Sequence, residues 1–234
     1  MGKKFIVFLF CLMLCQFVCA ELVTVLDETF NINSSASNLA SNYPHLQFSL
    51  ANTNPEVAGG ILRFGGGVHS VLFKNLDLSG EFFVSLGIGT ITDAPGSNNV
   101  HVILGQNKLV FHPGYTPIPG AFRIEGNGGF SNVSMGFVPA TDVLHTMEMY
   151  SRGDGNFDIS IKEYNGSNVY SVSFYNPGSL GGNLGVATAG NLGSDDIGIF
   201  DDIIVKTPTV IPEQNTLFLL LFFACFLYGL KIKT

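Results

Sequence analysis

The chain has 234 residues, 46% of them hydrophobic, and a formal net charge of −7. Between residues 21 and 206 the imbalance is sharper, with 17 acidic against 7 basic residues and a net charge of −10. A field of that sign repels nucleic acid and anionic lipid, which argues against a nucleic-acid partner.

The first 20 residues follow the three-part plan of a secretory signal. Lys3 and Lys4 give a positive start, Phe5 to Val18 are apolar apart from Gln16, and Val18-Cys19-Ala20 offers a cleavage site. The apolar run is too short for an ordinary spanning helix, and polar sequence follows at once. All four cysteines (Cys11, Cys15, Cys19, Cys225) lie in the two hydrophobic ends. The sequence between them therefore has neither a disulfide framework nor a thiolate metal site.

Residues 21–207 read as short strands. Candidates in chain order are Leu22 to Asp27, Gln47 to Leu50, Ile61 to Phe64, Val68 to Phe73, Glu81 to Ile88, His101 to Leu104, Phe122 to Glu125, Val133 to Val138, His145 to Tyr150, Phe157 to Lys162, Tyr170 to Phe174, Leu184 to Ala187 and Ile197 to Val205. Phe157, Ile159 and Ile161 alternate onto one face, and Asn165-Gly166 is a tight-turn signal leading into the next alternating run. Glycine is frequent, at 28 residues, and falls mostly between such runs, and no stretch between the terminal segments sustains a 3.6-residue apolar period. The predicted class is all-β: a two-sheet antiparallel sandwich, or jelly roll.

Residues 208–216 form a linker containing Pro212 and Glu213. Residues 217–230 are almost wholly apolar and read as a transmembrane segment, closed by a basic end at 231–234 with Lys231 and Lys233. The lysines favour the cytoplasmic side, which puts the main domain on the outer side of the membrane.

No catalytic constellation stands out. The five histidines (His45, His69, His101, His112, His145) are scattered singly, without paired zinc spacing. There is no nucleophile elbow, and Gly65-Gly66-Gly67 lacks the helix and lysine of a phosphate loop. A retaining glycosidase needs two carboxyl groups about 5–5.5 Å apart. The nearest acidic cluster, Asp195-Asp196 with Asp201-Asp202, places neighbouring residues on opposite faces of a strand. Sugar binding usually rests on an aromatic plate, and there is no Trp. Tyr43, Tyr115, Tyr150, Tyr164, Tyr170 and Tyr175 remain, and Phe111-His112-Pro113-Gly114-Tyr115 reads as an exposed loop that could present one.

Two resemblances add to this reading. Ile211-Pro212-Glu213-Gln214-Asn215-Thr216, an apolar helix and a basic end resemble the PEP-CTERM sorting signal of Gram-negative bacteria. Gln214 replaces the second proline, and two lysines stand for the usual arginine cluster. The resemblance implies an exosortase as processing partner. It also implies anchoring in the inner membrane facing the periplasm, then release to the cell surface or extracellular matrix. Asp27-Glu28-Thr29-Phe30 near the start, His145-Thr146-Met147-Glu148-Met149, Gly155 to Ile161, Gly185-Val186-Ala187 and Phe200-Asp201-Asp202-Ile203-Ile204-Val205 are similar to concanavalin A-like lectin/glucanase domains, laminin G-like modules included. That family sets its first and last strands side by side. Glu28, Asp201 and Asp202 would then converge, and a structural calcium ion could sit among them. No other cofactor is required. The function expected is a non-catalytic binding or adhesion module for extracellular polysaccharide or another surface protein. The alternative is a glycan-cleaving or glycan-modifying enzyme of the same fold.

Overall fold

The computed structural model describes residues 21–51, 55–65, 68–73, 76, 78–91, 99–105, 107–114, 118–126, 129–175, 184–189 and 198–209. The predicted signal peptide, the Pro212-Glu213 motif, the apolar tail, Tyr115 and Asp195-Asp196 lie outside these residues. Among the described residues no helix is long and apolar enough to cross a membrane. Chain contacts divide the protein into two units, Thr24–Thr207 and Met1–Val23 with Pro208–Thr234. The second contributes only the outer ends of the first and last strands to the described part.

Fifteen strands and one short helix are described. They are β1 (Glu21–Glu28), α1 (Ala36–Asn42), β2 (Leu46–Ala51), β3 (Glu56–Ala58), β4 (Ile61–Phe64), β5 (Val68–Phe73), β6 (Glu81–Thr90), β7 (Asn99–Leu104), β8 (Asn107–His112), β9 (Ala121–Glu125), β10 (Phe130–Ser134), β11 (His145–Arg152), β12 (Asn156–Lys162), β13 (Val169–Tyr175), β14 (Leu184–Ala189) and β15 (Gly198–Thr209). They form two antiparallel sheets. The eight-stranded one runs β13-β12-β11-β6-β15-β4-β3, with β1 joined to β15 as a branch. The seven-stranded one runs β10-β9-β8-β7-β14-β5-β2. The all-β sandwich is therefore as predicted, and so is the pairing of first strand with last.

Alternation builds the core. Phe82, Val84, Leu86 and Ile88 of β6, Met147 and Met149 of β11, and Phe157, Ile159 and Ile161 of β12 are buried on one face, while their neighbours point outward. Phe157 stacks on Phe174 of β13 at 4.8 Å, and Phe122 of β9 meets Tyr170 of β13 at 5.6 Å, tying one sheet to the other. Such aromatic pairs contribute about 1 kcal/mol each beyond the area they bury. At the start of β15 the sheets approach so closely that a Cβ on Gly198 would run into Thr188 and Val100 of the opposite sheet. Any other residue there would require the Thr188 and Val100 side chains to shift.

Two predicted details are corrected, and two elements had not been predicted. Phe111 and His112 are not an exposed loop: they end β8 and are 0% and 2% exposed. Leu109 and Phe111 fill the core on one face while Val110 and His112 are covered on the other, so the strand shows no alternation to read. The strand predicted at Val133 to Val138 instead spans Phe130–Ser134. Chain direction changes at Met135, whose N–H donates to Gly120 O, and at Gly136, which has φ +83°. The helix α1 was not predicted, because its seven residues bury only Leu39 and present no repeating apolar face. The three-residue β3 is too short to show a pattern.

Candidate functional site

The predicted acidic group sits where β1 meets β15. Glu28 is only 7% exposed, and its Oε1 accepts the N–H of Phe30 at 2.8 Å. Phe30 has φ +46°, a left-handed conformation unusual for a bulky side chain, and it is fully buried against Tyr43 at 5.6 Å. The other carboxylate oxygen, Oε2, lies 2.6 Å from His45 Nε2. The geometry is off-line for a hydrogen bond, so the contact is one of charge when His45 is protonated. Glu28 thus caps a strained turn that closes the core.

On β15 the pairing with β6 gains one residue between Asp201, opposite Gly87, and Ile204, opposite Ser85. The bulge places Asp202 at φ +48° with its side chain in solvent. Asp201 Oδ1 is enclosed without a hydrogen-bond partner. Burial, and then the nearby Asp202 and Glu28 charges, push the Asp201 carboxyl up to about 6, while the Asp202 N–H pulls it the other way. The fold therefore brings Asp201 into the field of both Glu28 and Asp202. Among the described residues, however, no three His, Cys, Asp or Glu side chains are grouped so as to hold a metal. One Glu28 oxygen already accepts the Phe30 N–H and the other lies beside His45, whereas calcium takes 6–8 oxygen ligands.

A second feature lies on the outer face of the eight-stranded sheet. Residues of five neighbouring strands share one rung: Ser173 faces Asp158, Asp158 faces Tyr150, Tyr150 faces Phe83, and Phe83 faces Lys206. The next outward rung carries Ser171, Ser160, Glu148 and Ser85. Together they floor a shallow open depression of about 330 Å³ lined by Phe83, Glu148, Tyr150, Asp158, Ser160, Ser171 and Ser173.

Its polar groups are held in place by one another. Tyr150 donates to Glu81 Oε1 at 2.5 Å, and that bond raises the phenol pKa, so the hydroxyl keeps its proton. Asp158 accepts from Ser173 Oγ at 2.6 Å and from Arg152 at 2.7 Å. Those partners, the serine first, hold its carboxyl below the usual range. Ser160 Oγ donates to Glu148 at 3.3 Å, and Lys206 Nζ lies 5.9 Å from the Phe83 ring centre. The result is an aromatic patch edged by carboxyl groups and hydroxyls.

Of the predicted tyrosines among the described residues, Tyr150 alone lines this depression. Tyr43 is buried and exchanges hydrogen bonds with Ile32, Tyr170 is packed against the core, and Tyr164 and Tyr175 are exposed elsewhere. Glu148, Asp158, Phe83 and the serines were not singled out from the sequence. The signal that could have found them is the register of the two hairpins, which places outward residues of three strands on common rungs. The histidines are mainly structural. His145 is fully buried with Nε2 2.8 Å from Ala140 O, and burial lowers the pKa of His101 to about 4. The side chain of His69 lies outside the described residues.

No protein-family profile matches the chain. No curated protein matches it by sequence. Solved structures do match it. The carbohydrate recognition domain of Emp47p aligns with TM-score 0.58 at 10% identity over 82% of this chain and 99% of that one. The exoplasmic/lumenal domain of VIP36, in a Ca2+/Man2-bound form, aligns with TM-score 0.55 at 8% identity over 81% and 90%. Lectin II from Ulex europaeus aligns with TM-score 0.57 at 8% identity over 76% and 99%. The chain shares the two-sheet sandwich of these concanavalin A-like lectin domains.

Proposed function

We propose that the protein is an exported surface protein whose sandwich is a non-catalytic module binding an uncharged extracellular polysaccharide. The observation that carries this reading is the depression on the eight-stranded sheet, in a fold shared with carbohydrate-binding domains. Tyr150 and Phe83 offer apolar surface for a sugar ring, and Glu148, Asp158 and three serines offer acceptors and donors for its hydroxyls. The carboxylates are already matched by internal partners, so a neutral ligand that donates hydroxyls suits them better than a charged one.

A binding role is favoured over hydrolysis by where the proton donor is. A glycosidase pairs a carboxylate with a carboxylic acid of raised pKa. Asp201 of β15, in the field of Glu28, is a carboxyl so raised, and it does not line the depression. Asp158, which does, is held ionised.

Export and anchoring rest on the sequence of the two ends. Residues 1–20 have the plan of a secretory signal, and residues 217–230 with Lys231 and Lys233 have that of a membrane segment. In the proposal, an exosortase acts near Pro212-Glu213 and the module passes to the surface or matrix of a Gram-negative bacterium.

The purified protein should be offered a glycan array and, in parallel, assayed for new reducing ends on each polysaccharide it binds. Binding without release of reducing ends is expected. Turnover of a bound polysaccharide would instead establish the enzymatic alternative.

A further inference from the structure

Strand β13 forms one edge of the eight-stranded sheet. It is bonded to β12 along one side, and no described strand lies along the other. Natural edges are guarded by lysine, proline or a bulge, because a bare row of N–H and C=O groups templates pairing with another chain. Val169–Tyr175 reads Val-Tyr-Ser-Val-Ser-Phe-Tyr, with no charge and no proline, and it pairs with β12 over seven residues without a bulge. Its two end residues, Val169 and Tyr175, are among the most exposed large hydrophobic side chains, at 57% and 58%.

The sequence is also close to a palindrome about Val172, and this selects the occupant. We propose that β13 pairs antiparallel with β13 of a second copy, about a two-fold axis through Val172. In that register Val172 meets its own counterpart, and Tyr170 meets Phe174 on the core-facing side. Ser171 meets Ser173 on the outer side, and the exposed Val169 and Tyr175 cover one another. A shift by two residues would keep the pleat in phase but uncouple Val169 from Tyr175. The contact is isologous and closes on itself, as a two-fold dimer requires.

The axis stands perpendicular to the sheet, so the outer faces of both copies look the same way. Ser171 and Ser173 of β13 belong to the depression described above. The two depressions then become neighbours on one continuous sheet, separated only by the paired edge strands. On the proposed glycan-binding reading, one long polysaccharide crosses both. The second contact is then intramolecular and raises apparent affinity by about 10²-fold or more.

The test uses the full chain in detergent, with molar mass measured by light scattering. Three proteins are compared: wild type, Val169→Glu with Tyr175→Glu, and Val169→Glu with Tyr175→Lys. The first double variant sets like charges opposite each other across the axis, and the second sets opposite charges there. Both positions are exposed, so the fold itself should tolerate either change. Wild type and the opposite-charge variant should be dimers and the like-charge variant a monomer. A monomeric wild type would overturn the proposal, as would three dimers or an opposite-charge variant that stays monomeric. Retention on an immobilised long polysaccharide should fall at least tenfold in the like-charge variant, with affinity for a short oligosaccharide unchanged. If no glycan binds any of the three while the masses behave as stated, the glycan reading fails and the dimer stands.

Discussion

The hydroxyl of Tyr150 donates to Glu81 Oε1 at 2.5 Å, fastening the middle of β11 to the first residue of β6 across the outer face of the sheet. The bond fixes the phenol ring beside Phe83, its cross-strand neighbour, and turns two aromatic side chains into one surface. Tyr150 therefore contributes to binding mainly through its ring and only secondarily through its hydroxyl.

Tyr150→Phe should weaken polysaccharide binding by less than tenfold, because the ring remains. Tyr150→Ala should weaken it by more than tenfold, the order of a central contact residue worth over about 1.4 kcal/mol. Each should lower stability by about 1 kcal/mol, the net worth of the lost bond to Glu81, since the side chain otherwise lies on the outer face. Isothermal titration on the ligand identified by array, with thermal melts of each variant, measures both quantities.

Glu28 is a structural cap. Glu28→Ala leaves the Phe30 N–H without its acceptor in a buried, left-handed turn and should destabilise the protein by about 2 kcal/mol. Because Glu28 is already engaged, the wild-type melting temperature should be the same in calcium and in chelator. A rise of several degrees with calcium, abolished by Asp201→Asn with Asp202→Asn, would show that calcium does bind among these acids.

Asp201 makes stability fall as pH rises. Its folded pKa of about 6 lies above the ordinary value of 3.8, so the folded state holds the proton more tightly than the unfolded chain does. That contribution is intact below about pH 4, declines through the interval up to about 6, and is gone above it. Asp201→Asn should therefore stabilise the protein at pH 8 by about 1 kcal/mol, a value reduced for partial solvent screening, and give no gain at pH 4. Melting curves of the two proteins between these limits test the sign.

His101 acts in the opposite direction. Burial lowers its pKa to about 4 from 6.5, so the neutral ring favours folding above 6.5 and that contribution is lost as pH falls toward 4. His101→Gln should flatten the acid side of the stability profile by about 2 kcal/mol between pH 7 and pH 4. Denaturant titrations at the two pH values measure the difference.

The parts of this fold that could be read from sequence are those in which one face is wet. β12 and β13 alternate residue by residue because the outer face is open to solvent, and their bounds were found to within one residue. β8 was missed because Val110 and His112 are covered as fully as Leu109 and Phe111, which erases the alternation. Asp201 and Asp202 were identified as residues of interest. The bulge that exposes one and shelters the other follows from the extra residue opposite Gly87 and Ser85, which depends on the partner strand. The same holds for the depression. Tyr150 was one of six candidate tyrosines, and nothing local marks it. Only the register of β11 against β6 and β12 puts it between Phe83 and Asp158.

Affinity electrophoresis through gels cast with single neutral polysaccharides, run on the wild-type chain and on Tyr150→Ala with Phe83→Ala, tests the proposed binding face most directly. At least one polysaccharide should retard the wild-type protein, and the double variant should migrate there as in a plain gel while melting within a few degrees of wild type. Equal retardation of both proteins, or of neither by any neutral polysaccharide, would contradict it.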